Sequence, residues 1–397
     1  MSQQPINLSP DLQHLRKDGF DIEILSNHLL VKDVPYVNSV RAVKRGVLVS
    51  KLTLAGNITA PPDDHVAYFV GEHPCNSDGT AIEKIRHGSN SQTLAEGIIV
   101  QHSFSAKPKP NGHYADYHTK MTTYVAILSG PALELDPTAT AKTFPVIEPK
   151  CDDPNAIFHY IDTASSRAEI GVVTKKLALR RIAIIGIGGT GSYVLDLTAK
   201  TPVKEIHLFD GDIFLQHNAF RSPGAASIDE LRAKLPKATY FKNLYSKMRR
   251  GIIDHPVYVD ASNVAELQDM DFVFLCLDNG AAKRIIVESL ERFGRPFVDV
   301  GMGINMSGDS LGGILRVTTS TAKARDHVRT RISLVDAGDG RNEYDRNIQV
   351  ADLNALNAAL AVMKWKKLFG FYRDLKNEHH STFTIDGNLL LSEDRLS

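Results

Sequence analysis

The chain has 397 residues, 43% of them hydrophobic and 23% charged, an ordinary composition for a soluble globular protein with length for about two to three domains. Its 46 Lys and Arg balance 46 Asp and Glu, so no global field argues for nucleic acid or an anionic membrane as partner. No apolar run approaches the ~20 residues of a membrane span, the N-terminus lacks a signal core, and three cysteines without a C-x-x-C argue for a reducing compartment and against a zinc knuckle. The expectation is a cytoplasmic protein.

Residues 1–145 read as a separate, β-rich α+β region. Its short β-type runs are Val66–Val70, Gly97–Val100 and Tyr124–Leu128, divided by turn signals such as Pro61-Pro62, Ser77-Asp-Gly79 and Lys107–Gly112. His65, His73 and Cys75, or His113, Asp116 and His118, fit no zinc spacing. His102, Ser103 and Asp116 hold the residue types of a hydrolase triad, but a triad is a matter of geometry. The region is read as a docking module for a protein partner or as a degenerate conjugating-enzyme-like domain. Residues 146–160 read as a linker, and a helix is predicted over about 162–179.

From residue 181 the pattern alternates. Buried strands are predicted at Ile182–Ile185, Ile206–Phe209, Asp271–Leu277 and Pro296–Val300, with helical stretches between them. That alternation specifies an α/β fold, a mostly parallel sheet covered on both faces. A strand or two is expected from about 301, and then a crossover loop over about 318–346. A helix follows over 350–369, then a polar loop in which His379-His380 reads as solvated, then a strand at Thr382–Ile385.

The first strand runs into Gly186-Ile-Gly-Gly-Thr-Gly191 and the second ends on Asp210-Gly-Asp212. Strand, glycine turn, helix, strand and terminal acid are the parts of a nucleotide-binding βαβ unit. The glycines permit a sharp turn and close approach to phosphates at the next helix N-terminus. These parts alone do not separate a dinucleotide from ATP. Asn218, Arg221, Lys237 and Asp278 do, because a triphosphate needs fixed cations and a carboxylate for Mg²⁺.

This constellation (GIGGTG at 186–191, DGD at 210–212, NAFR at 218–221, PKA at 236–238, CLDN at 276–279) resembles the ThiF/MoeB/ubiquitin-activating-enzyme family of adenylyltransferases, of the bacterial ubiquitin-like conjugation type. The resemblance implies a Rossmann-like fold over 161–397 and adenylation of the C-terminal glycine of a ubiquitin-like or sulfur-carrier protein ending in Gly-Gly, with ATP and Mg²⁺. It implies that Gly186, Gly188, Gly189 and Gly191 cradle the nucleotide, that Asp210 binds ribose, and that Asn218, Arg221 and Lys237 hold phosphates. Asp278 would coordinate Mg²⁺, and Arg167 would reach across a homodimer interface. Asp212 reads equally as a site residue or as a cap on the following segment.

The family's crossover cysteine has no counterpart here, and Cys276 reads as core packing. Three outcomes stay open: the reaction stops at the adenylate, the acyl group passes to a partner such as a conjugating enzyme, or a hydroxyl among Thr318, Thr319, Ser320 and Thr321 accepts it with His327 as base. An NAD(P)-dependent oxidoreductase and a catalytically silent scaffold are the rival readings.

Overall fold

A computed structural model describes residues 3–149, 156–334 and 348–395. The chain divides into two compact units, Met1–Ile147 and Glu148–Ser397.

The first unit is built on a six-stranded antiparallel sheet. Its strands are β1 (Ile22–Leu25), β2 (His28–Val37), β3 (Val43–Lys51), β4 (Val66–Val70), β5 (Arg86–Gly88) and β6 (His102–Ser105), in the order β1-β2-β3-β4-β6-β5. Helices α1 (Pro10–Lys17) and α2 (Tyr117–Leu135) contribute Leu12, Leu15, Tyr117, Met121, Tyr124 and Leu128 to one core with Val31, Leu48 and Phe69 of the sheet. The run Tyr124–Leu128, expected as a strand, lies inside α2. Buried Tyr117, Met121, Tyr124, Val125 and Leu128 recur at helical spacing, and Asp116 caps the start by accepting from Thr119 N. Longer-range periodicity therefore outweighs the β-type composition of five residues.

The second unit carries an eight-stranded mixed sheet. Five strands are parallel: β7 (Arg181–Ile185), β8 (Glu205–Phe209), β9 (Ile252–His255), β10 (Phe272–Leu275) and β11 (Phe297–Ser307), in the order β9-β8-β7-β10-β11. Antiparallel β12 (Ser310–Ser320), β13 (Glu378–Thr384) and β14 (Leu389–Arg395) extend it past β11. Alternation places Ile182 and Ile184 in one hydrophobic cluster, and Ala183 and Ile185 in the other. The first face is covered by α3 (Gly189–Ala199), α4 (Lys237–Tyr245) and α6 (Ala351–Leu368), the second by α5 (Gly280–Phe293). Burial on both faces accounts for strands that read as unbroken apolar runs.

Three expectations are corrected here. The helix over 162–179 is broken into Thr163–Arg167, Gly171–Thr174 and a 3-10 turn at Lys175–Leu177; Gly171 and the β-branched Val172-Val173-Thr174 favour interruption. The loop expected from 318 starts later, because Thr318–Ser320 complete β12. Residues 335–346 of that crossover, Asp336–Asp345 included, lie outside the described residues, as does Cys151. Finally, His379 and His380, read as solvated, are buried in β13.

Candidate nucleotide site

β7 and β8 lie side by side in register from Arg181–Glu205 to Ile185–Phe209, so the glycine turn and Asp210 emerge at the same sheet edge. Gly186 has φ +85°, and a Cβ there would stand 2.8 Å from the Cys276 carbonyl oxygen. Gly186 N donates to Phe209 O at 2.8 Å, and Ile187 N donates to Asp210 Oδ2 at 2.6 Å. The acid is thus bound to the turn by the turn's own amide. Asp212 N occupies the other oxygen at 2.9 Å. Burial raises the Asp210 carboxyl above its usual range, against the lowering effect of Lys237 and these two amides.

Lys237 opens α4 and is 6% exposed. Its Nζ stands 2.6 Å from Asp212 Oδ2 and 4.0 Å from Asp210 Oδ1, and Tyr258 donates its hydroxyl to Asp212 Oδ1. Burial pushes the Asp212 carboxyl up, but the bonds from Lys237 and Tyr258, with the Lys237 and Arg221 charges, hold it below its usual range. Arg221 follows the short helix Gln216–Ala219, and its Nε is buried without a partner. Asp278 is exposed just beyond β10, and Asn279 caps α5 by accepting from Ala282 N at 2.8 Å.

One cleft of about 1100 Å³ collects these groups. Gly186, Gly188, Gly189, Asp210, Asp212, Arg221, Lys237 and Asp278 all line it. Gly191 does not; its Cβ would lie 1.9 Å from Gly186 O, so its smallness lets α3 close onto the turn. Asn218 is also off the cleft: it is 3% exposed, and its Oδ1 accepts from Leu215 N at 2.8 Å, closing the turn that precedes Arg221. Arg167 is exposed at the end of a five-residue helix and does not line the cleft of its own chain.

The hydroxyl acceptors are corrected. Thr318, Thr319 and Ser320 are fully buried in β12, and none of the four hydroxyl residues lines the cleft. Thr318 Oγ1 meets His380 Nδ1 at 3.0 Å and Thr321 Oγ1 meets His379 Nε2 at 3.1 Å. His327 Nε2 donates to the Thr319 carbonyl oxygen at 2.9 Å, so that nitrogen is not available as a base. Cys276 lines the cleft, but burial and the Asp299 charge push its thiol far above the ordinary value, and a thiolate role is disfavoured.

The sequence reading missed a buried ion cluster behind the same cleft. Asp299, fully buried on β11, pairs with Lys283 Nζ at 2.7 Å and Arg316 Nη2 at 2.9 Å, and both cations line the cleft. A lone acid inside the apolar run Phe297-Val-Asp-Val300 was the available signal, since a buried carboxylate demands partners. Tyr258, Asn354 and Asn357 lie outside every motif and carried no such signal. Among the described residues no group of three or more His, Cys, Asp or Glu is placed to hold a metal, and no helix is long and apolar enough to cross a membrane.

Solved structures similar to this chain include E. coli MccB with MccA-N7isoASN, at 18% identity and TM-score 0.45 over 56% of this chain and 66% of that one. They also include PaaA, at 18% and 0.42 over 56% and 75%, and E. coli MccB with ATP, at 18% and 0.45 over 58% and 71%. This chain thus spans just under two thirds of the first of these. No curated protein matches the chain. Residues 10–163 match DUF6791, a domain of unknown function. Residues 161–338, which supply the glycine turn, Asp210, Arg221, Lys237 and Asp278, match the ThiF family.

Proposed function

We propose that the second unit adenylates a carboxylate, and that its substrate is the C-terminal glycine of a ubiquitin-like or sulfur-carrier protein. ATP lies over the glycine turn, its phosphates at the N-terminus of α3 and its ribose toward Asp210. Arg221 and Lys237 take the phosphate charge. Lys237 exchanges part of its pairing with Asp212 for a phosphate oxygen, a short displacement for a flexible side chain held at 2.6 Å. The substrate carboxylate oxygen attacks the α-phosphorus, the bond to the bridging oxygen breaks, and pyrophosphate leaves with that electron pair. The products are acyl-AMP and pyrophosphate. No proton transfer is needed, so positioning and electrostatic stabilisation carry the step.

Mg²⁺ keeps several waters and takes most other ligands from phosphates, so one exposed carboxylate suits it; of the exposed acids that line the cleft, Asp212, Asp260 and Asp278, the family resemblance gives this role to Asp278. Held by Asp278, the ion would neutralise charge on the departing pyrophosphate. Arg167, remote from the cleft of its own chain, would serve the cleft of a second copy.

The observation that supports the reading is the convergence of Arg221, Lys237 and Asp278 beside one glycine turn. The test is ATP–pyrophosphate exchange with Gly-Gly-ended carrier proteins as acyl substrates. Exchange that needs the carrier's free C-terminus and is lost in Asp278→Ala is expected. Binding of a nicotinamide dinucleotide in place of MgATP would overturn the reading.

A further inference from the structure

Arg221 and the glycine turn belong to different elements, yet one buried side chain outside both joins them. Asn354, in the first turn of α6, is fully buried. Its Nδ2 donates to the Arg221 carbonyl at 3.1 Å, and its Oδ1 accepts from Thr190 Oγ1 at 3.1 Å. Thr190 stands in the first turn of α3, immediately after Gly189. A Cβ on Gly189 would meet Asn354 Nδ2 at 2.1 Å, so the amide packs directly on the glycine turn.

The loop around Arg221 is otherwise closed upon itself. Arg221 N donates to Asn218 O at 3.1 Å, and Ser222 Oγ donates to the same carbonyl at 2.7 Å. Those bonds shape the loop without fixing its distance from α3. The bond from Asn354 fixes that distance, and a short amide supplies the required donor and acceptor from one Cβ. An error of about 1 Å in a charged group costs an electrostatic site much of its effect.

We propose that Asn354 is a positioning residue for nucleotide binding: it clamps the Arg221 backbone to the start of α3, so that the guanidinium stands beside phosphates lying over the glycine turn. The inference rests on the adenylation reading for what occupies the cleft. It adds a residue that no motif of the sequence marks.

The experiment measures the MgATP dissociation constant by calorimetry for the full chain, Asn354→Ala, Arg221→Ala and the double variant, with melting temperature recorded for each. Asn354→Ala is expected to weaken binding about 10-fold, and the double variant is expected to bind no more weakly than Arg221→Ala, because both changes remove one contact. Should Asn354→Ala fold poorly, Asn354→Ser retains a small hydrogen-bonding group in the same space and is expected to fall between. Wild-type affinity in Asn354→Ala, at whatever melting temperature, overturns the proposal. So do losses that multiply in the double variant, since Asn354 would then act through another group. Wild-type affinity in Arg221→Ala is a different result: it removes Arg221 from the nucleotide site and refutes the reading beneath.

Discussion

Gly188 and Gly191 are three residues apart in one motif, and the structure asks different things of them. Around Gly188 nothing lies within 4 Å of a added Cβ, and its φ of −78° is ordinary for any residue. Its place on the cleft wall means that a methyl group would meet only what occupies the cleft. Gly191 faces protein: its Cβ would lie 1.9 Å from the Gly186 carbonyl oxygen and 3.1 Å from Cys276 Cβ. Gly188→Ala should therefore leave stability within about 0.5 kcal/mol of wild type while weakening MgATP binding at least 10-fold. Gly191→Ala should cost about 1–3 kcal/mol through overpacking and lose affinity as a consequence. Thermal melting beside calorimetric titration separates the two. A Gly188→Ala protein that binds MgATP normally would move the phosphates off the turn.

The parallel core was legible as elements because each strand is buried on both faces and appears as an apolar run; Asp210 and Asp278 each follow one of those runs directly. Elements whose identity depends on distant partners were not legible in this way. The antiparallel hairpin β11–β12 reaches its full length only by pairing from Phe297–Ser320 to Ser307–Ser310, and the sequence showed its first four residues as a strand. The hydroxyl run 318–321 looked like chemistry because composition does not reveal burial. In the structure, Thr319 Oγ1 and Ser320 Oγ are buried with no hydrogen-bond partner among the described residues. A buried, unsatisfied hydroxyl costs stability, and an apolar isostere removes that cost. Thr319→Val and Ser320→Ala should accordingly hold or raise stability by up to about 1 kcal/mol and leave MgATP binding unchanged. A loss of carrier-dependent exchange in either variant would return that strand to the reaction.

Across the whole molecule, acid sensitivity should arrive in two stages, and histidines held low by burial set the first of them: His65 and His102 in the first unit, and a larger set in the second unit. Four of its histidines are held below the ordinary value, each chiefly by burial: His207, His255, His379 and His380. Their surroundings do not reverse this. His207 Nδ1 and His255 Nε2 face each other at 3.0 Å, with Glu205 and Arg181 around the first ring and Glu266 and Asp254 around the second. His379 lies among Lys364, His327 and Asp374; His380 lies among Arg331, Arg316, Asp394 and Glu393. A histidine with a depressed folded pKa takes up its proton later in the folded chain than in the unfolded chain. Its contribution is therefore whole above the unfolded value of about 6.5 and is lost as pH falls from there toward the folded value. The second stage belongs to carboxylates whose folded values lie low, Glu205, Asp212, Asp254 and Asp374 among them; their contribution is present above about pH 4 and disappears below it. Asp210 opposes that second loss, since its raised carboxyl favours the folded chain as it protonates. Melting temperature followed from pH 8 downward should first decline below about pH 6.5, well before the carboxylates titrate. His207→Gln should shallow this early decline, because the facing pair of rings then gains one proton at most. An early decline of unchanged depth in His207→Gln would exclude this pair as a source of the acid sensitivity, and a flat profile down to the carboxylate range would exclude all four rings.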